Sequence, residues 1–165
     1  MTRIAIALFE GAEELDWAGP WEVLAAWAQQ WPDDGVDVFT VARTNDAVTC
    51  AKGLRVLPDR TWDDAGAVDV LVYPGGMGTR RELHDDDVLA WLRNVRTSGT
   101  LMTSVCTGAL VYAAAGFLSG RPATTYWSAL PLLAELDPTI ELRPDDRFVD
   151  SGVRRYIQYD PEPPV

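Results

Sequence analysis

The chain has 165 residues, 47% of them hydrophobic and 24% charged, which suits one ordinary domain (residues 1–165) with a sizeable core. Its formal net charge of −11 excludes a surface built to hold nucleic acid, and the lack of any apolar run of about 18 residues excludes a transmembrane helix. Two cysteines, Cys50 and Cys106, make no disulfide framework, and Met1–Phe9 is too short and strand-like for a secretory signal, so the reducing cytoplasm is the expected location.

Ile4 to Phe9 reads as a buried strand that runs into Glu10-Gly11-Ala12-Glu13-Glu14-Leu15-Asp16, a turn rich in carboxylates. Pro20 is placed in the first turn of a helix over Trp21 to Trp31, with Pro32 as its stop. Val36 to Val41 is a second strand. Val48–Cys50 and Leu54–Leu57 flank Lys52-Gly53, the pattern of a small hairpin. Val68 to Tyr73 is a third strand, ended by Pro74-Gly75-Gly76. Val88, Leu89, Trp91, Leu92 and Val95 mark an amphipathic helix over Asp87 to Val95. Leu101 to Val105 is another strand, and Thr107 to Ala115 an Ala-rich buried helix that stops at Gly116. The spacing predicts a helix over Trp127 to Leu136, with Pro131 in its first turn. Ile140–Leu142 and Phe148–Val149 are short strand candidates. Strands alternating with helices make an α/β domain, its central sheet mainly parallel with helices on both faces.

Cys106 falls where the strand at Leu101 turns into the Ala-rich helix. Ser104-x-Cys106-x-Gly108 has the small–x–nucleophile–x–Gly form of a nucleophile elbow, with sulfur in place of the serine oxygen. Small neighbours let the chain reverse tightly, and the helix N–H groups are expected to favour thiolate over thiol. In parallel sheets ligands bind beyond the carboxyl ends of the strands. That rule gathers the acidic loop Gly11–Asp16, the Pro74–Gly78 loop and the elbow at one edge, so a carboxylate, a glycine pair and a thiol are expected in one cleft. Acidic turns such as Asp85-Asp86-Asp87 read as solvated surface, and Cys50 as a small apolar filler. No His/Cys cluster has ligand spacing and Gly75-Gly76 alone is no phosphate loop, so no metal, nucleotide or other cofactor is expected.

These segments resemble the ThiJ/PfpI superfamily, the class I glutamine-amidotransferase-like α/β sandwich of flavodoxin-like form. The matching residues are Gly11-Ala-Glu-Glu-Leu-Asp16, Pro74-Gly75-Gly76 and Ser104-Val-Cys106-Thr107-Gly108. Within it the chain is most similar to isocyanide hydratases and to the amidase-like domains of AraC-type regulators. Leu15-Asp16-x-x-Gly19-Pro20 and Ala115-Gly116-Phe-Leu-x-Gly120-Arg121-x-Ala-Thr-Thr125-x-Trp127 carry that finer likeness, which resumes at Tyr159-Asp-Pro-Glu-Pro-Pro164. The resemblance implies Cys106 as nucleophile, Asp16 as proton shuttle, Thr107 hydrogen-bonding near the attacked atom, and the N–H groups of Gly76 and Thr107 as an anion-stabilising pocket. It also implies Gly75 and Trp127 at the substrate, and a homodimer. Trp17, Trp21 and Trp127 could line an apolar pocket, although tryptophans are more often core.

The lone His84 reads as a surface or capping residue, Thr107 stands where protease-like members have His, and Tyr126 where many relatives have His. A peptidase or amidotransferase, which needs a histidine base, is therefore disfavoured. The implied activity is hydration of an isocyanide through a covalent thioimidate to an N-substituted formamide. The alternatives are a glyoxalase-like hydratase of reactive aldehydes and a non-catalytic ligand- or redox-sensing domain. Relatives continue past Asp150-Ser151-Gly152 with a strand, a Gly-rich turn and a long helix. Here Gly152 leads directly into Val153-Arg-Arg-Tyr-Ile-Gln-Tyr159, so a strand–helix unit of roughly 30 residues is expected to be missing, the alternatives being a face covered by another subunit, a local rearrangement or an impaired protein.

Overall fold

The computed structural model describes residues 1–152. The likeness at Tyr159–Pro164 and the segment that begins at Val153 lie outside the described residues.

The strands are β1 (Thr2–Ala7), β2 (Val36–Ala42), β3 (Val48–Thr49), β4 (Arg55–Val56), β5 (Arg60–Thr61), β6 (Val70–Tyr73), β7 (Leu101–Ser104), β8 (Pro122–Ala123) and β9 (Glu141–Leu142). The helices are α1 (Glu14–Gln30), α2 (Thr79–Glu82), α3 (Asp86–Thr97), α4 (Gly108–Ala114) and α5 (Leu130–Leu136). The central sheet has the order β5-β2-β1-β6-β7, every pair parallel. Its middle strand carries four consecutive buried residues, Ile4 to Ala7, as a strand covered on both faces must. From β1 the chain crosses to β2 on one side, whereas from β6 it crosses to β7 on the other. Right-handed crossovers then put α1 and α3 on opposite faces. The strand order reverses between β1 and β6, the place where open α/β sheets bind ligands.

Local chemistry explains most boundaries. Asp85 caps α3 through its carboxylate, which accepts from the N–H groups of Asp87 at 3.0 Å and Val88 at 3.2 Å. Val88, Leu89 and Leu92 form its buried stripe. The apolar α4 is buried from Gly108 to Ala113, as a helix without a polar face must be, and Gly116 ends it at φ 82°. The hairpin around Lys52-Gly53 forms as β3 and β4, and Pro131 does sit in the first turn of α5.

Two expectations are corrected. α1 begins at Glu14, so Pro20 lies inside it rather than in its first turn. The ring leaves the Asp16 carbonyl without its i+4 donor, a penalty the docked acidic loop outweighs. Phe148–Val149 is no strand, and Phe148 is exposed. That segment is held instead by Arg121, whose guanidinium donates to the Ser151 carbonyl at 2.8 Å, and by Ser151, whose hydroxyl donates to the Pro122 carbonyl at 2.7 Å. The two-residue strands β5 and β8 and the short helix α2 have no signal in the spacing, being too short to show a period.

Candidate active site

Three connections meet at the carboxyl ends of β1, β6 and β7, as the topology requires. The elbow is the tightest. Cys106 has φ 52°, the one left-handed non-glycine backbone among the described residues. Such a conformation is sterically costly for a residue with a Cβ, and survives only where surroundings hold it. Val105 N–H donates to the Tyr73 carbonyl at 3.0 Å on one side, and Gly108 N–H closes the turn onto the Val105 carbonyl at 2.9 Å. The Thr125 hydroxyl donates to the Cys106 carbonyl at 2.8 Å. Gly108 has no room for a side chain, since a Cβ there would run into the carbonyl oxygens of Tyr73 and Pro74.

Asp16 arrives from the first turn of α1. The loop before it is tied down on two sides. Glu13 N–H donates to the Gly75 carbonyl at 2.9 Å, and Ala51 N–H donates to the Ala12 carbonyl at 2.8 Å. The neighbouring carboxylates, read from sequence as solvated, clamp the hairpin. Glu10 accepts from Thr49 N–H at 3.0 Å, Glu14 from Lys52 N–H at 2.7 Å, and Glu13 pairs with the Lys52 ammonium at 2.6 Å. Burial pushes the Glu14 carboxyl up, but the N–H groups of Lys52 and Leu54 and the Lys52 charge hold it below its ordinary value.

The half-buried Asp16 carboxylate accepts from Gly75 N–H at 3.1 Å and faces the Cys106 thiol. Gly75 is bare for a reason. A Cβ would lie 2.6 Å from the Thr107 nitrogen, 2.8 Å from its Oγ1 and 2.8 Å from Asp16 Oδ2. Only glycine lets these groups close around the sulfur. Thr107 is 3% exposed, and its hydroxyl donates to the Gly76 carbonyl at 3.3 Å. The N–H of Gly76, expected as a second anion donor, is engaged by Thr107 Oγ1 at 3.0 Å.

The expectation that the corner favours thiolate is also corrected. Burial and then the adjacent Asp16 carboxylate push the Cys106 thiol up, and the Thr107 donors do not cancel them. Asp16 is pushed up by burial too, against the pull of Gly75 N–H and Cys106. Asp16 thus opposes ionisation of the thiol, whereas the thiol favours the ionised carboxylate.

The sulfur opens on a cavity of about 490 Å³. Its walls include Ser104, Leu118, Tyr126, Trp127, Phe148 and Val149, with Arg147 at one edge. Trp127 stands at the mouth, 71% exposed, and Tyr126 packs against it at 5.5 Å between ring centroids. Asp16, Gly75 and Gly76 are not among the lining residues of this cavity. Trp17 belongs to the core and Trp21 is partly exposed on α1, neither lining this space. His84 is exposed and remote in role, and Cys50 is buried. Among the described residues no group of three His, Cys, Asp or Glu side chains is arranged to hold a metal, and no helix is long and apolar enough to cross a membrane. Thr125, Thr79 and Arg80 were not legible as site residues. Thr125 sits in the quoted Arg121–Trp127 likeness, whereas Thr79 and Arg80 carry no sequence signal.

Comparison with known proteins places these features in a lineage. The model of the DJ-1/PfpI family matches residues 2–152. Isonitrile hydratase of Pseudomonas putida is 38% identical over 151 residues, covering 91% of this chain and 62% of the relative. Glutathione-independent glyoxalase DJR-1.2 of Caenorhabditis elegans is 29% identical over 94 residues, covering 56% of this chain and 50% of the relative. The crystal structure of a ThiJ/PfpI family protein from Pseudomonas syringae superposes with a TM-score of 0.76 at 30% identity, covering 90% of this chain and 59% of that one. The chain thus spans less than two thirds of the length of the hydratase and of the Pseudomonas syringae protein.

Proposed function

The chain belongs to the DJ-1/PfpI family, and from that membership and its site geometry we propose that it is a cysteine-dependent hydratase of small electrophiles, its substrates isocyanides converted to N-substituted formamides. One observation carries the reading: a carboxyl group facing the sulfur of a left-handed elbow cysteine, which lines a cavity with aromatic walls. The similarity to isonitrile hydratase selects the substrate class.

Cys106 is the nucleophile. Its sulfur bonds to the terminal carbon of R–N≡C while the thiol proton passes to Asp16. Asp16 delivers that proton to the same carbon, leaving the thioimidate R–N=CH–S. Water then adds at this carbon, one of its protons moving to nitrogen. Collapse breaks the carbon–sulfur bond, releases R–NH–CHO and returns the last proton through Asp16 to sulfur. A carboxyl group beside the sulfur suits this cycle, because Asp16 must act as base in one half and acid in the other. Thr107 N–H and hydroxyl steady the charge on sulfur as it forms and leaves. Tyr126, Trp127 and Phe148 offer ring faces to the R group. No metal or cofactor enters the scheme. A homodimer belongs to the same proposal, supported by Trp21, Val23, Trp27 and Trp31, which leave apolar surface exposed on and just after α1.

Purified protein mixed with an aryl isocyanide should deplete it and accumulate the formamide, followed by NMR, and Cys106→Ala should abolish turnover. Retained hydration in Cys106→Ala would sink the covalent route. The likeness to a glyoxalase supports a second reading. Consumption of methylglyoxal with no action on isocyanides would favour it.

A further inference from the structure

The nucleophile and the aromatic wall of its cavity belong to different parts of the fold. Cys106 follows β7, an edge of the central sheet, whereas Tyr126 and Trp127 follow β8, which pairs with β9 in a separate two-stranded sheet. Among the described residues no strand ladder joins the two sheets. The stretch around β8 is held mainly from its own side. Arg143 N–H donates to the Ala123 carbonyl at 2.8 Å, and the Ser151 hydroxyl to the Pro122 carbonyl at 2.7 Å. Toward the elbow, Pro122–Trp127 makes one hydrogen bond among the described residues, from the Thr125 hydroxyl to the Cys106 carbonyl at 2.8 Å. Its length is ideal for an O–H···O contact. It ends on the residue whose backbone is left-handed, at φ 52°. Thr125 lines the same cavity as Cys106, and its direct neighbour Tyr126 packs on Trp127.

We propose that Thr125 is a positioning residue that ties the nucleophile to the aromatic wall, fixing where the Cys106 sulfur stands relative to the rings that receive the R group. The inference rests on reading Tyr126 and Trp127 as that wall, and it does not depend on which electrophile is turned over. A molecule seated on the rings reacts faster only if the sulfur then lies at attack distance from its reactive carbon, because a small misplacement forfeits the gain from proximity. Thr125 acts on the carbonyl of Cys106 and not on its sulfur. Its loss should therefore weaken the advantage of ring-bearing reagents and leave the ionisation of the thiol where it is.

The test is alkylation of Cys106 by two reagents with the same reacting group, iodoacetamide and N-phenyliodoacetamide, read on the Cys106 peptide by mass spectrometry so that Cys50 does not interfere. Each rate is divided by the rate of the same reagent with glutathione. The wild-type protein should favour the phenyl reagent by about tenfold, and Trp127→Ala should lose that preference. Thr125→Val keeps the shape and removes the hydroxyl. It should also lose the preference, while the pH midpoint with iodoacetamide stays unchanged, and Thr125→Ser should restore the preference. A full preference in Thr125→Val overturns the proposal, and so does equal slowing of both reagents, which would mark a residue that only stabilises the elbow. No preference in the wild-type protein overturns it together with the aromatic wall. If Thr125→Val does not fold, Thr125→Ala with the same serine control decides between the same outcomes. Neither reagent is hydrated, so failure of the isocyanide assay and failure of this inference are separate results.

Discussion

At Cys106 the backbone and the side chain have different masters. The left-handed φ of 52° is imposed by contacts on both sides of the turn, from Tyr73 to Thr125. The proton on sulfur is held first by burial and then by the facing Asp16 carboxylate. Since the adjacent carboxylate is among the causes that hold the thiol up, its removal should have an opposite effect on reactivity and on catalysis. Asp16→Asn should shift the alkylation midpoint of Cys106 to lower pH, because the thiolate no longer faces a negative charge. On the proposed mechanism the same change reduces isocyanide hydration by about a hundredfold or more, because no group is left to move the proton. Parallel measurement of alkylation and formamide production checks the pair; a midpoint that rises would contradict the assigned cause.

At the scale of elements, the site exists because β6, β7 and α4 approach more closely than side chains normally permit. Gly108 is where that approach is tightest, with carbonyl oxygens of both Tyr73 and Pro74 in the space a Cβ would need. Backbone carbonyls cannot swing aside as a flexible side chain can. Gly108→Ala should therefore cost about 2–4 kcal/mol of stability, read from denaturant unfolding, although alanine is the better helix former. A gain in stability would mean that α4 can slide along β7. On the other wall, α1 shows tertiary contacts overriding a local rule. It runs through Pro20 because the loop ahead of it is clamped by Gly75 and by the β3–β4 hairpin, which puts Asp16 in its first turn.

Over the whole molecule, charge is mostly kept at the surface, and the exceptions are informative. Glu82 is 6% exposed, its carboxylate accepting from the Tyr73 hydroxyl at 3.2 Å and pairing with Arg81 at 3.5 Å. Burial pushes it up, and the Tyr73 and Arg81 contacts only partly offset that. A carboxyl raised in the folded state contributes stability that is complete below its unfolded value and is lost as pH climbs through the folded one. Glu82→Gln should therefore leave stability near pH 4 little changed and gain about 1 kcal/mol near pH 7. Thermal unfolding of both proteins across that range checks it, and an equal gain at both pH values would rule out ionisation as the cause.

Much of the architecture was legible in the sequence because its signals are local. Ile4–Phe9, Val36–Val41, Val68–Tyr73 and Leu101–Val105 read as strands from their own composition, and Ser104-x-Cys106-x-Gly108 announced the elbow from the room its backbone needs. What only the tertiary structure decided depends on groups far apart in sequence. The start of α1, the work of Glu10, Glu13 and Glu14 on the hairpin, and the hydroxyls of Thr125 and Thr79 all follow from contacts across the fold. The proton on Cys106 is the sharpest case. A helix start argued for thiolate, but burial and an opposing carboxylate some 90 residues away argued harder, since desolvation and Coulomb repulsion act through space and not along the chain.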